Sequence, residues 1–168
     1  MARRLVTHRV ALRIVVATLA LAGLAAGLLT GAGGARSAAP PLPGAVLSGH
    51  AVTIAQLHGH SAAIVFWASW CNDCHAEATA VERFARSTAG RGRVIGVDYT
   101  DGGNWRAFVR RYGWSFPVLA DRSGAVGSSF GLRDLPATVI LDPSGRIVSV
   151  SNEVQTVAGL RQALAAAA

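Results

Sequence analysis

The sequence has no lysine, only two cysteines and only nine acidic residues. Without a second cysteine pair, a tetrahedral zinc site of the usual four ligands has too few donors. All 16 basic side chains are therefore arginine, which reads as base-composition bias in the genome rather than as function. Charged residues make up 15% against 51% hydrophobic, which excludes wholesale disorder and requires a folded core. A chain of 168 residues is too short for two ordinary domains once a targeting segment is set aside. The net charge of +7 does not describe a basic domain. Arg3, Arg4, Arg9, Arg13 and Arg36 flank the N-terminal apolar run, and from Ser37 onward 11 arginines face nine acids. No basic run occurs there, so nucleic-acid binding is not expected. No internal repeat is present.

The N-terminus carries the one long apolar run. Residues 1–13 hold four arginines and no acid, and no charged side chain stands between Ile14 and Ala35. That run is near the roughly 20 residues a membrane-crossing helix needs. The arginines before it place the N-terminus inside and direct the rest outward. Residues 1–36 are expected to be a signal peptide, cleaved near Ser37-Ala38-Ala39, or a retained transmembrane anchor. Pro40 is a poor neighbour for cleavage. Residues 37–44 (SAAPPLPG) read as a linker and residues 45–168 as the domain.

Within the domain, Ala45–Val52 suggests a small hairpin and Thr53–Leu57 one helical turn. Ala62–Ala68 (AAIVFWA) is a continuous apolar run, as in a strand buried on both faces. From Cys71 to about Thr88 the pattern turns helical, with Ala78, Val81, Phe84 and Ala85 on one face. Arg93–Tyr99 is a second buried strand. Asn104 is placed to cap a helix running to Tyr112. Phe116–Ala120 and Ala137–Leu141 are further strands, with a weak helix at Ser123–Phe130 between them. Asp142-Pro143-Ser144-Gly145 is a turn leading into Arg146–Ser151, and Thr156–Ala166 closes as a helix. Alternating strands and helices followed by a hairpin predict a mixed sheet with helices on both faces.

Both cysteines, Cys71 and Cys74, stand where the first buried strand gives way to a helix. The unpaired N–H groups of a helix N-terminus favour thiolate over thiol. Cys71, as the more exposed member, is expected to be the nucleophile, and Cys74, one turn inward, to resolve the mixed disulfide. A disulfide closing so short a loop restrains the unfolded chain little, so a purely stapling role fits poorly. Copper binding stays open, because His75 adjoins the pair and His50, His58 and His60 cluster nearby; the bland reading of those three is solvent exposure.

Phe66-Trp67-Ala68-Ser69-Trp70-Cys71-Asn72-Asp73-Cys74 resembles the active-site run of the thioredoxin superfamily, most closely the extracytoplasmic TlpA/ResA-like thiol–disulfide oxidoreductases. Leu135-Pro136-Ala137-Thr138-Val139-Ile140-Leu141-Asp142 resembles the second signature of that family. The resemblance implies a thioredoxin-like α/β fold, a cis peptide bond before Pro136, and Leu135 offering backbone groups to an extended substrate. It implies that Trp70 shields the disulfide, where ordinary core packing is the other reading. Glu77 matches a glutamate that influences cysteine titration in the ResA-like group; the alternative is a first-turn acid facing the helix dipole. Two departures stand out. Val65 replaces the buried acid of cytoplasmic thioredoxins, and Asn72-Asp73 lacks the proline common before the second cysteine. Asp73 disfavours thiolate at Cys71 and His75, when protonated, favours it.

The expected function is disulfide exchange with exported proteins, apocytochrome c or copper-site proteins among them. It acts on the outer face of a bacterial cell membrane or after secretion. No cofactor and no metal are expected, and the chain is expected to be a monomer that draws on an integral-membrane thiol redox partner. The alternative is a Cu(I) chaperone using Cys71, Cys74 and a histidine. A peroxidase of the related peroxiredoxin class is disfavoured, because its nucleophile sits in a different local sequence.

Overall fold

The computed structural model describes residues 36–168. The expected signal or anchor segment lies outside them. In chain order the described residues form β1 (Val46–Ser48), a 3-10 turn (Ile54–Leu57), β2 (Ala62–Trp67), α1 (Asn72–Arg86), β3 (Val94–Tyr99) and α2 (Trp105–Tyr112). There follow β4 (Val118–Asp121), α3 (Ala125–Ser129), β5 (Ala137–Leu141), β6 (Ile147–Ser151) and α4 (Val157–Ala166). One six-stranded sheet has the order β1-β4-β3-β2-β5-β6. Its centre, β2, β3 and β4, is parallel, while β1, β5 and β6 are antiparallel to their neighbours. This is the thioredoxin-like mixed sheet anticipated from the motifs.

Both faces of β2 are covered, which is why every residue in it is buried. Ile64 and Phe66 join Ile95, Val97, Leu119, Val139 and Leu141 on one face. Ala63, Val65 and Trp67 face Ala78, Val81 and Phe84 of α1 and Leu160 and Leu164 of α4 on the other. Burying a large apolar side chain in such a layer contributes roughly 1.5–3 kcal/mol. Two glycines sit where a side chain would crowd the core. A Cβ on Gly90 would lie 2.1 Å from the Phe84 carbonyl oxygen, where the chain doubles back after α1. A Cβ on Gly96 would meet Trp114, Phe116 and the Trp67 indole nitrogen at 3.2–3.3 Å, so this glycine makes room for the aromatic cluster under the disulfide.

Three local expectations shift. Ala45–Val52 does not fold back as a hairpin; β1 instead pairs across the sheet with β4, whose edge offers free backbone groups. The β4 strand starts at Val118, after Pro117, which has no N–H to donate. Residues 37–44, expected as a linker, are held against the domain along part of their length. Ala39 N–H donates to Gly145 O at 3.0 Å and Ile147 N–H to Ser37 O at 2.9 Å, while Leu42 packs on the core. Among the described residues no helix is long and apolar enough to cross a membrane.

Candidate active site

The β2 strand delivers the chain to the N-terminus of α1, and Cys71 is the N-cap residue itself. Cys71 and Cys74 are joined in a disulfide with Cα atoms 5.2 Å apart. The Cys74 N–H donates to Cys71 Sγ at 3.1 Å, so one orphan donor of the helix start already points at the sulfur. Cys71 is 6% exposed and Cys74 1%, and Trp70 beside them is 62% exposed. The order of exposure is the expected one, and Trp70 is not a core residue.

His75, the next residue of α1, is turned away from the sulfurs. Its Nε2 donates to Ser69 O at 3.0 Å, which leaves Nδ1 of the neutral ring to accept from Tyr112 Oη at 2.9 Å. Its ring also packs on Phe108, which stacks on Trp67 at 4.2 Å. His50, His58 and His60 are exposed. Among the described residues no three His, Cys, Asp or Glu side chains stand together as a metal-holding group.

Glu77 follows Cys74 by three residues, on the same face of α1. It is 1% exposed. Gln155 N–H donates to its Oε2 at 2.8 Å, and Oε1 has no hydrogen-bond partner among the described residues. Burial pushes its carboxyl up to about 7; the Gln155 amide pulls the other way and Asp73 adds to the rise. A carboxyl so placed can hold or give up a proton near neutral pH.

The opposite wall comes from β5. Antiparallel pairing of Phe66 with Ala137 sets the end of β2 beside the start of β5. The Leu135–Pro136 peptide bond is cis. Leu135 packs against the cluster that contains both cysteines. Asn152 Nδ2 donates to Asp134 O at 2.8 Å and to Pro136 O at 3.1 Å, and so holds this loop from the far side. Leu135 N–H donates to Asp134 Oδ1 at 2.8 Å, so an extended partner pairing with that amide must first displace a carboxylate.

Sequence reasoning missed Asn152, Gln155, and the buried acids Asp98 and Asp101 behind the Ser69–Trp70 turn. Only Asp98 left a signal, as an acid inside the otherwise apolar run RVIGVDY.

A disulfide at a helix mouth, faced by a cis-proline loop on this sheet, defines a thioredoxin-fold thiol–disulfide oxidoreductase. The chain belongs to the AhpC/TSA family, whose model matches residues 36–150. It is 29% identical over 130 residues to the thioredoxin-like protein YneN of Bacillus subtilis, covering 75% of this chain and 76% of that one. It is 30% identical over 106 residues to the thiol-disulfide oxidoreductase ResA of Halalkalibacterium halodurans, covering 62% of this chain and 60% of the relative. Among solved structures, MTB DsbF in mixed oxidised and reduced forms is similar with a TM-score of 0.63 at 30% identity, covering 76% of this chain and 95% of that one.

Proposed function

We propose that this oxidoreductase works outside the bacterial cytoplasm, exchanging disulfides with exported proteins through Cys71 and Cys74. The observation that carries the reading is the Cys71–Cys74 disulfide at the N-terminus of α1. In the reducing direction Cys71 thiolate attacks a substrate disulfide sulfur. The substrate S–S bond breaks, a mixed disulfide forms, and the departing substrate thiolate takes up a proton. Cys74 then attacks Cys71 Sγ, releasing the second substrate thiolate and leaving the Cys71–Cys74 disulfide. The proton lost by Cys74 passes to Glu77, whose Oε1, unpartnered among the described residues, and raised affinity for a proton suit it to this step. The enzyme has then given two electrons to its substrate and needs two from an integral-membrane thiol carrier.

Trp70 and Leu135 form the apolar contact for the substrate, and the cis Leu135–Pro136 segment pairs with its backbone. The outward location rests on the arginine-led apolar run of residues 14–35 and on similarity to solved structures such as a secreted Mycobacterium tuberculosis disulfide oxidoreductase. Apocytochrome c and copper-site proteins are the substrates we favour, acted on by a monomer. The Cu(I)-chaperone alternative loses its nearest histidine, because both nitrogens of His75 are engaged.

The test is to replace Cys74 with Ser in cells and identify what becomes attached to Cys71. Exported proteins with paired cysteines are expected; an absence of mixed disulfides would sink the reading. The equilibrium potential of the couple sets direction: a value far below roughly −120 mV, where strong oxidants lie, marks a reductant.

A further inference from the structure

Ser69 stands two residues before Cys71, and three segments distant from it in sequence or on the next helix hold its polar atoms. Its N–H donates to Asp101 Oδ2 at 2.7 Å, its carbonyl accepts from His75 Nε2 at 3.0 Å, and its hydroxyl oxygen accepts from Asn104 N–H at 3.2 Å. Asp101 Oδ1 accepts from Gly103 N–H at 2.7 Å. The backbone N–H of the turn from which Cys71 is presented is thus held by one carboxylate.

That carboxylate is not alone. Asp98, the register partner of Trp67 on β3, stands three residues before Asp101, and each is 2% exposed. Asp98 Oδ1 has no partner among the described residues. Between them Thr100 has φ +52°, a left-handed conformation that costs a β-branched residue on the order of 1 kcal/mol. This turn lets Asp101 reach Ser69 and Asp98 together.

Two buried carboxylates in contact cannot both stay ionised, so they share a proton. Asp98 keeps it. Burial pushes its carboxyl up to about 7, the Asp101 charge and hydrogen bond add to this, and Arg122 beyond β4 opposes it. Burial works against Asp101 as well, but hydrogen bonds from Ser69, Gly103 and the Asp98 carboxyl outweigh it and hold Asp101 below the ordinary range.

We infer that Asp98 and Asp101 are positioning residues for Cys71: a one-proton carboxyl pair that anchors the Ser69–Trp70 turn and, on losing its proton, disfavours the Cys71 thiolate. The inference rests on Cys71 being the exchanging sulfur. With the proton in place the pair carries one negative charge and grips Ser69. Without it, a second buried charge is added behind the turn, where repulsion loosens the pair and weighs against a neighbouring anion. The titratable and charged groups facing the pair are Arg122 beyond β4 and, across Ser69, His75 of α1 with the Tyr112 phenol of α2 behind it. Glu77 also titrates near the cysteines, so it is removed in the test.

The experiment is the pH profile of Cys71 alkylation in the reduced full chain, for Glu77→Gln and for Glu77→Gln with Asp98→Asn. Asparagine keeps the shape of the protonated acid, can donate to Asp101 and never ionises. In Glu77→Gln the rate, scaled to thiolate fraction, is expected to depart from a single titration by roughly 3- to 10-fold across neutral pH. In the double variant the departure disappears, while a purely structural role for Asp98 would lower stability and leave the profile unchanged. A single titration in Glu77→Gln, or a departure lost in His75→Gln and kept in Asp98→Asn, overturns the proposal. Should Asp98→Asn not fold, carboxyl carbon NMR shifts of the unaltered chain decide instead: one of Asp98 and Asp101 is expected to be protonated at pH 6, and two ionised groups there overturn it. If the unaltered protein reduces no disulfide substrate and its Cys71 reacts like a peptide thiol, the oxidoreductase reading itself fails. If exchange runs and only the profile is featureless, the failure belongs to the carboxyl pair.

Discussion

The two ends of β5 treat buried acids in opposite ways. At the end beside the disulfide, Glu77 and Asp98 each leave one carboxyl oxygen without a partner among the described residues, and burial raises both to about 7. At the other end, Asp142 in the β5–β6 turn is satisfied on every side. Ser144 hydroxyl and amide donate to Oδ1 at 2.6 and 3.0 Å, Arg146 N–H at 3.0 Å, and Arg36 reaches Oδ2 at 3.3 Å. Those bonds, the Ser144 hydroxyl first, hold its carboxyl down to about 2. Desolvation is the largest influence on Glu77 and Asp98, and hydrogen bonds are the largest on Asp142. A satisfied acid is a fixed anion that ties a turn. An unsatisfied one stays able to change protonation near neutral pH, at a cost in stability.

The largest effect that sharpens the contrast comes from the sulfur itself. Cys71→Ser is expected to reduce disulfide exchange by on the order of 1000-fold or more, and Asp142→Asn to leave it unchanged, both measured on a peptide disulfide. Comparable losses from the two would break the division between a reactive end and a structural end.

Glu77→Gln is next. A raised folded value means that the acid stabilises the fold when protonated, fully below about 4.5, and that this is lost as pH rises through about 7. The variant should therefore gain stability relative to the parent as the pH rises from about 4.5 to about 7, on the order of 2–3 kcal/mol, with little further change above that, read by denaturant unfolding. Its exchange rate should also lose the share of the inflection near pH 7 that Glu77 supplies, leaving the share set by Asp98. Parallel stability curves for the two proteins would show that Glu77 is solvated and the comparison mistaken.

Asp142→Asn has the opposite sign. A lowered folded value contributes stability that is present above the ordinary carboxylate range and lost as pH falls toward about 2. The variant should melt below the parent at pH 7, and the gap should close as the pH is lowered through 4 toward 2. A gap that persists unchanged in acid would mean that packing, not the charge, ties the turn.

The smallest effect concerns Asp134, which occupies the Leu135 amide. Asp134→Ala is expected to lower KM for a protein disulfide by roughly twofold with kcat unchanged, because a neutral or exposed hydrogen bond is worth about 0.5–1.5 kcal/mol and part of it is regained with the substrate. A raised KM would mean that the carboxylate guides the substrate instead of competing with it.

Much of the fold was legible because its signals are local. The runs AAIVFWA and RVIGVDY are central strands because they are almost continuously apolar. Asn104 caps its helix, as read, by accepting the Ala107 N–H at 3.3 Å. The edge of the sheet was less legible: three residues of β1 carry no pattern that tells a hairpin from pairing with β4, some seventy residues away. The missing acid at Val65 illustrates the same limit. Read along the chain, it removes a proton site from β2; in the fold, Val65 packs in the core while acids with raised proton affinity, Glu77 and Asp98, are buried on α1 and β3.

The amino-acid sequence alone determined the order of strands and helices, the two sulfurs at the strand–helix junction and the proline loop meant to face them, because those depend on neighbours a few residues apart. Only the tertiary structure decided which acids hold a proton near neutrality. Desolvation and hydrogen-bond partners set that state, and here they come from afar: Gln155 reaches Glu77 across 78 positions, and Asp101 reaches Ser69 across 32.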